Sequence, residues 1–179
     1  MSPDDMPLTA RILDAWEAGL GQSGPSRALA LLAAAQPQPT SELLVLPVGA
    51  RDRRLLELRA VLFGSRLAAV ADCPACGELL DVDFEADAVM EPAPRPQIDE
   101  VVVEWEGRRL RFRLPNAGDM IALARCHGAG QARDLLLARC SLDGDDAAGA
   151  LPEAAIAALS EQMAQADPQA EVHLALSCP

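Results

Sequence analysis

The sequence predicts an α+β fold: helices first, then a β-hairpin built around a cysteine turn, with a second β-hairpin and further helices inserted before the chain returns to it. Three observations lead there. Apolar residues recur every three or four positions up to Gly64, short segments alternate apolar and polar residues beyond it, and Cys73-Pro74-Ala75-Cys76-Gly77 joins two of those segments. The 179 residues are enough to bury a core.

Leu8, Ile12, Ala15, Trp16 and Leu20 predict an amphipathic helix over 8–20, with Thr9 available as its cap and Gly19 and Gly21 at its end. A second helix is expected from Pro25, behind Ser23, to Ala35, where Pro37 and Pro39 stop it. Gln36 to Ala50 reads as a loop with one apolar run, Leu43 to Leu46. A third helix follows from Arg51, with Leu55, Leu58 and Leu62 on one face and Gly64 closing it. Residues 1–64 form an N-terminal helical region.

Around the cysteine turn the pattern is strand, tight turn, strand, with Leu80, Val82 and Phe84 alternating with Asp81, Asp83 and Glu85. Glu91 to Gln97, with prolines at alternate positions, is an extended linker. From Ile98 to Pro115 a hairpin can be read residue by residue. With Glu106-Gly107 as the turn, Trp105 faces Arg108, Val103 faces Leu110 and Val101 faces Phe112. The charge pairs Glu104–Arg109 and Glu100–Arg113 fall on the other side.

Asn116 and Asp119 have capping-box spacing and open a helix through Met120, Leu123 and Ala124. Gly128 and Gly130 interrupt it. A helix with Leu135, Leu136 and Leu137 runs to about Cys140, residues 141–150 form a loop, and Pro152 starts a last helix that ends near Asp167-Pro168. Alternating Val172, Leu174 and Leu176 predict a closing strand over Glu171–Ser177. The units are therefore 1–64, two ribbon halves at 65–90 and 171–179, the linker 91–97, and an insertion over 98–170.

Fifteen basic against 27 acidic side chains leave a net charge of −12, and every basic side chain is arginine. This balance argues against a nucleic-acid partner, which needs basic surface to replace condensed counterions. Arg51, Arg53, Arg54, Arg59 and Arg66 cluster, but Asp52 and Glu57 are interleaved and imply a salt-bridged, solvated helix face. The N-terminus has no basic region followed by an apolar run, and the longest apolar stretch, Ala28 to Ala35, is too short to span a bilayer. The expectation is a cytoplasmic protein with no membrane span, unless a larger assembly carries it out.

The cysteine turn is the sharpest chemical feature. Two thiolates three residues apart can face one tetrahedral ion, Pro74 fixes the turn, and Gly77 permits a positive φ, which together describe a zinc-ribbon knuckle. One knuckle gives two ligands. Ser177-Cys178-Pro179 echoes its opening half, so the expected metal ligands are Cys73, Cys76 and Cys178. The fourth position falls to water, His173, Cys126 or Cys140, or to a cysteine beyond a chain cut short after Pro179.

Three readings stand beside this one: a thioredoxin-type redox pair, which belongs at a helix N-terminus; a disulfide, unfavoured in a reducing compartment; and a knuckle without metal. Cys126 and Cys140 read as structural cysteines, His127 and His173 as surface side chains, and Asp143-Gly144-Asp145-Asp146 as a solvated turn without calcium-loop spacing. No nucleophile–base triad, glycine-rich phosphate loop or paired catalytic carboxylates can be defended, so the chain reads as a non-enzyme.

Several segments in order resemble one family. They are Leu13 to Gln22, Pro25 to Ala35, Leu46 to Asp52, Leu62-Phe63-Gly64, Cys73 to Gly77, Arg113-Leu114-Pro115 leading into Asp119, Ala166 to Ala170, and Leu176 to Pro179. Together they resemble the phage-type baseplate, or hub-assembly, proteins of contractile tails and bacterial contractile injection systems. The resemblance implies a structural or assembly role near hub, tube or spike proteins, with no catalytic residues and only Cys73, Cys76 and Cys178 as metal ligands. In similar proteins the second Cys-Pro continues as a full knuckle, followed by further helices. A zinc-ribbon adaptor in transcription is the alternative, although Asp81, Asp83, Glu85 and Asp87 follow the knuckle; a thiol oxidoreductase is the third.

Overall fold

The structure, a computed structural model, describes residues 6–36, 38–90, 98, 100–144, 151–176 and 178. The expected linker over 91–97 and Asp145 and Asp146 of the acidic turn lie outside the described residues. Helices and two antiparallel two-stranded sheets make an α+β fold.

Helix α1 spans Leu8–Ala18 and ends at Gly19; Pro7 holds its N-cap position, and Thr9 lies inside the first turn rather than capping it. Helix α2 spans Gly24–Ala35. Its Ser23 hydroxyl accepts the Ser26 N–H at 3.4 Å, and Pro25 sits in the first turn, where no N–H is required. The expected loop over 36–50 instead contains a short helix α3, Thr40–Leu44, which carries Leu43 into the core. Helix α4 spans Val48–Phe63, starting three residues ahead of the expected Arg51 because Val48 and Gly49 are buried, and Gly64 ends it at φ 84°.

Strands β1, Arg66–Asp72, and β2, Leu79–Glu85, pair in the register Arg66↔Glu85 to Asp72↔Leu79. A short 3₁₀ turn, Ala86–Ala88, follows. Strands β3, Val101–Trp105, and β4, Arg108–Phe112, pair in the register read from the sequence, with Val101↔Phe112, Val103↔Leu110, Glu104↔Arg109 and Trp105↔Arg108. The turn residues Glu106 and Gly107 both have positive φ, 50° and 74°, as a two-residue turn matched to strand twist requires. The expected Glu100–Arg113 pair does not form. Arg113 lies one position beyond β4, where its guanidinium is taken by Asp119, and Glu100 instead lies 3.9 Å from Arg111.

Helix α5, Ala117–Leu123, opens on the expected capping box, with Asn116 Oδ1 accepting from the Asp119 N–H at 3.0 Å and Asp119 Oδ2 accepting from the Asn116 N–H at 2.9 Å. Helix α6 spans Ala129–Cys140, α7 spans Glu153–Ala166, and Pro168–Ala170 forms a 3₁₀ turn. The strand expected over Glu171–Ser177 is absent from its described residues, 171–176. The alternation is present but no ladder is made, and Val172, Leu174 and Leu176 stay nearly half exposed.

Two apolar clusters organise the chain. Leu29, Leu32, Leu43 and Ala117 join α2, α3 and α5, with Leu55 of α4 packed against them. Val101, Val103, Leu110 and Phe112 lay the inner face of β3–β4 on Cys140 of α6 and Leu159 of α7. Backbone bonds tie the segment leading into α4 to the segment leading from β4 into α5, from Val48 N–H to Pro115 O at 3.1 Å and from Ala117 N–H to Leu46 O at 2.9 Å. At the start of α4 the Gly49 N–H donates to Asp167 Oδ2 at 2.8 Å; a Cβ on Gly49 would meet the Asp167 carboxylate and come within 2.9 Å of the Ala170 nitrogen, so only glycine fits.

Candidate metal centre

The tip between β1 and β2 is shaped by its backbone. Cys73 N–H donates to Glu78 O at 2.9 Å, and Gly77 N–H donates to Cys73 O at 2.8 Å, folding 73–78 into a tight turn. Gly77 takes φ 74°, which a side chain would strain. The turn aims the N–H groups of Cys76 and Ala75 at the Cys73 sulfur, and with the Cys76 and Cys178 thiols they lower the Cys73 pKa to about 7 against a small opposing effect of burial. Cys178 is shifted the other way, upward, chiefly because its thiol is engaged by Cys76.

Cys178, 102 residues along the chain from Cys76, comes back to this tip, with 3.2 Å between the two sulfurs. The Sγ atoms of Cys73, Cys76 and Cys178 all lie within 4.8 Å of one another and could hold a metal ion. Three convergent thiols are a donor set that suits a soft or borderline cation. Cys73 is the shielded member at 9% exposure, whereas Cys76 and Cys178 are exposed. The pair thus sits on a turn between strands, not at a helix N-terminus.

Comparison with family models, curated proteins and solved structures finds no match.

Among the described residues, none of the side chains considered for a fourth position joins the cluster. His173 is exposed and lies 3.2 Å from Glu171. Cys126 is half-buried just past α5. Cys140 is in the apolar core, where burial pushes its thiol up to about 12, with the Asp119 charge adding to the effect. His127 is exposed, as expected. Asp143 is more than a solvated turn residue: its carboxylate accepts the Arg111 N–H at 2.7 Å and the Arg111 guanidinium at 2.9 Å, tying the 141–144 segment to β4. The arginine-rich helix face is ion-paired as expected, with Arg51 on Asp52 at 2.7 Å and Arg53 on Glu57 at 2.9 Å. Arg59 instead closes the end of α4 by donating to Gly64 O and Arg66 O.

Sequence reasoning gave Asp119 only a capping role. Its fully buried carboxylate also takes Arg113 on both oxygens, at 2.6 and 2.9 Å, and Arg139 at 2.7 Å. Burial pushes this carboxyl up, but the bonds from Arg113, Asn116 N–H and Arg139 together outweigh it and hold the pKa below the ordinary range. With both oxygens occupied it has no lone pair to offer a substrate, so this cluster is a joint between α5, α6 and the end of β4.

No helix among the described residues is long and apolar enough to cross a membrane.

Proposed function

We propose that the chain is a non-enzymatic structural or assembly component of a contractile, phage-tail-like baseplate, in which a zinc ion held by Cys73, Cys76 and Cys178 staples the β1–β2 tip to the C-terminal segment. The observation carrying the zinc reading is the convergence of three sulfurs within 4.8 Å, drawn from positions about a hundred residues apart in the chain. The ordered set of segments from Leu13 to Pro179 supports the baseplate reading, with hub, tube or spike proteins as partners. An apolar groove of about 620 Å³ between α1 and α4, lined by Leu13, Trp16, Leu58 and Phe63, supports a protein partner, since exposed apolar patches mark such contacts. A thiolate-held zinc would supply cross-linking rather than chemistry, because closing a long loop stabilises the folded state by restricting the unfolded chain.

The expected outcome is about one zinc per freshly purified chain, falling severalfold when any of the three cysteines becomes serine, with sheath, tube or spike proteins recovered alongside tagged protein. Metal analysis that finds no zinc overturns the staple; recovery free of all tail components from cells making the particle overturns the baseplate assignment.

A further inference from the structure

Cys76 and Cys178 stand apart from the third sulfur in their exposure: both face solvent where Cys73 is shielded. Their sulfurs are 3.2 Å apart. A disulfide needs about 2.05 Å, so the two atoms must close by roughly 1.2 Å. The surroundings permit that movement. Residues 171–176, which lead to Cys178, make no strand ladder, and Cys76 sits in a turn whose next residue, Gly77, has nothing within 4 Å of its would-be Cβ.

We propose that Cys76 and Cys178 form an oxidation site for hydroperoxides, closing a disulfide that is mutually exclusive with metal binding at the same tip. One thiolate attacks the peroxide, the O–O bond breaks, and a sulfenic acid and one water form. The second thiol attacks that sulfur, an S–S bond replaces the S–O bond, and a second water leaves. Two thiols lose two electrons and two protons in all, and one hydrogen peroxide is reduced to two waters. A metal held by the three sulfurs loses two of them in this step, and Cys73 alone cannot retain it. Cys140 is excluded from the reaction by its burial in the core.

The inference shares its residues with the zinc reading but depends only on the sulfur contact, so both metal-free and zinc-loaded full-length chain are treated with stoichiometric hydrogen peroxide. The expected product has lost two hydrogen atoms in intact mass, and cleavage at acidic residues joins the peptide after Glu171 to the one carrying Cys76. Zinc-loaded chain releases about one zinc per disulfide. Cys178→Ser abolishes the cross-linked peptide, and Cys73→Ser, which leaves both partners, retains it. A chain that binds no zinc yet forms the bond supports this inference while overturning the staple. A Cys73–Cys76 bond in place of the expected one, no cross-link in Cys73→Ser, or zinc retained after full oxidation overturns it.

Discussion

The two hairpins have the same antiparallel topology, and the one with the shorter ladder is the better buried. Strands β3 and β4 have five residues each and place Val101, Val103, Leu110 and Phe112 in a core against α6 and α7. Strands β1 and β2 have seven each, yet Val82 is their single buried residue, while Val70 and Leu79 face solvent. Backbone pairing alone leaves a two-stranded hairpin marginal in water, so each must be held by something else. For β3–β4 that is apolar packing. For β1–β2 the ties at the base are Arg59 and the Ala86 N–H to Ser65 O bond, 2.8 Å, and at the tip the proposed metal staple would act through the three converging sulfurs.

The largest break in this contrast comes from Phe112→Ala, which empties the fully buried centre of the packed hairpin and should cost about 3–5 kcal/mol in denaturant unfolding. Next comes Asp119→Asn. It leaves Arg113 and Arg139 without their carboxylate, but both arginines are partly solvated, so the loss should be about 2–3 kcal/mol, below that of a fully buried pair. The same carboxyl sets an acid limb: its folded pKa is depressed, so its contribution is complete above the unfolded value near 3.9 and disappears as pH falls through the folded one. Stability measured from pH 6 to 2 should therefore fall less in Asp119→Asn than in the parent. Asp167 works in the opposite sense, since burial and the nearby Asp52 raise its pKa against the Gly49 N–H bond, so its stabilisation grows as it is protonated. The smallest change is Val70→Ser on the exposed hairpin, expected to shift stability by less than about 0.5 kcal/mol; a loss of several kcal/mol would mean that β1–β2 is held by packing after all.

The packed hairpin was legible residue by residue because turn chemistry, apolar alternation and cross-strand charge all point to one register. Its single misreading, Glu100 with Arg113, arose where the ladder ends and a side chain is free to answer a stronger partner, Asp119. Helix α3 was hidden because five residues between prolines are too few to show a helical period. The closing strand failed for a different reason: alternation in Val172, Leu174 and Leu176 describes two faces of an extended chain, but a strand also needs a neighbour to pair with. At the tip, two of the three sulfurs followed from Cys-x-x-Cys spacing and the third from an echo of Cys-Pro a hundred residues on. The Asp119 joint left no comparable trace, because Arg113 and Arg139 stand at no motif spacing from it and only the fold brings them together.

The separation of 102 residues between Cys76 and Cys178 also has a consequence in time. At ordinary rates of synthesis the ribosome needs about 5–20 s to pass from one codon to the other. During that interval the nascent chain displays Cys73 and Cys76 without their third companion, while the whole segment that forms β3 to α7 is being made. Closure of the tip thus cannot precede synthesis of the segment that forms the packed hairpin.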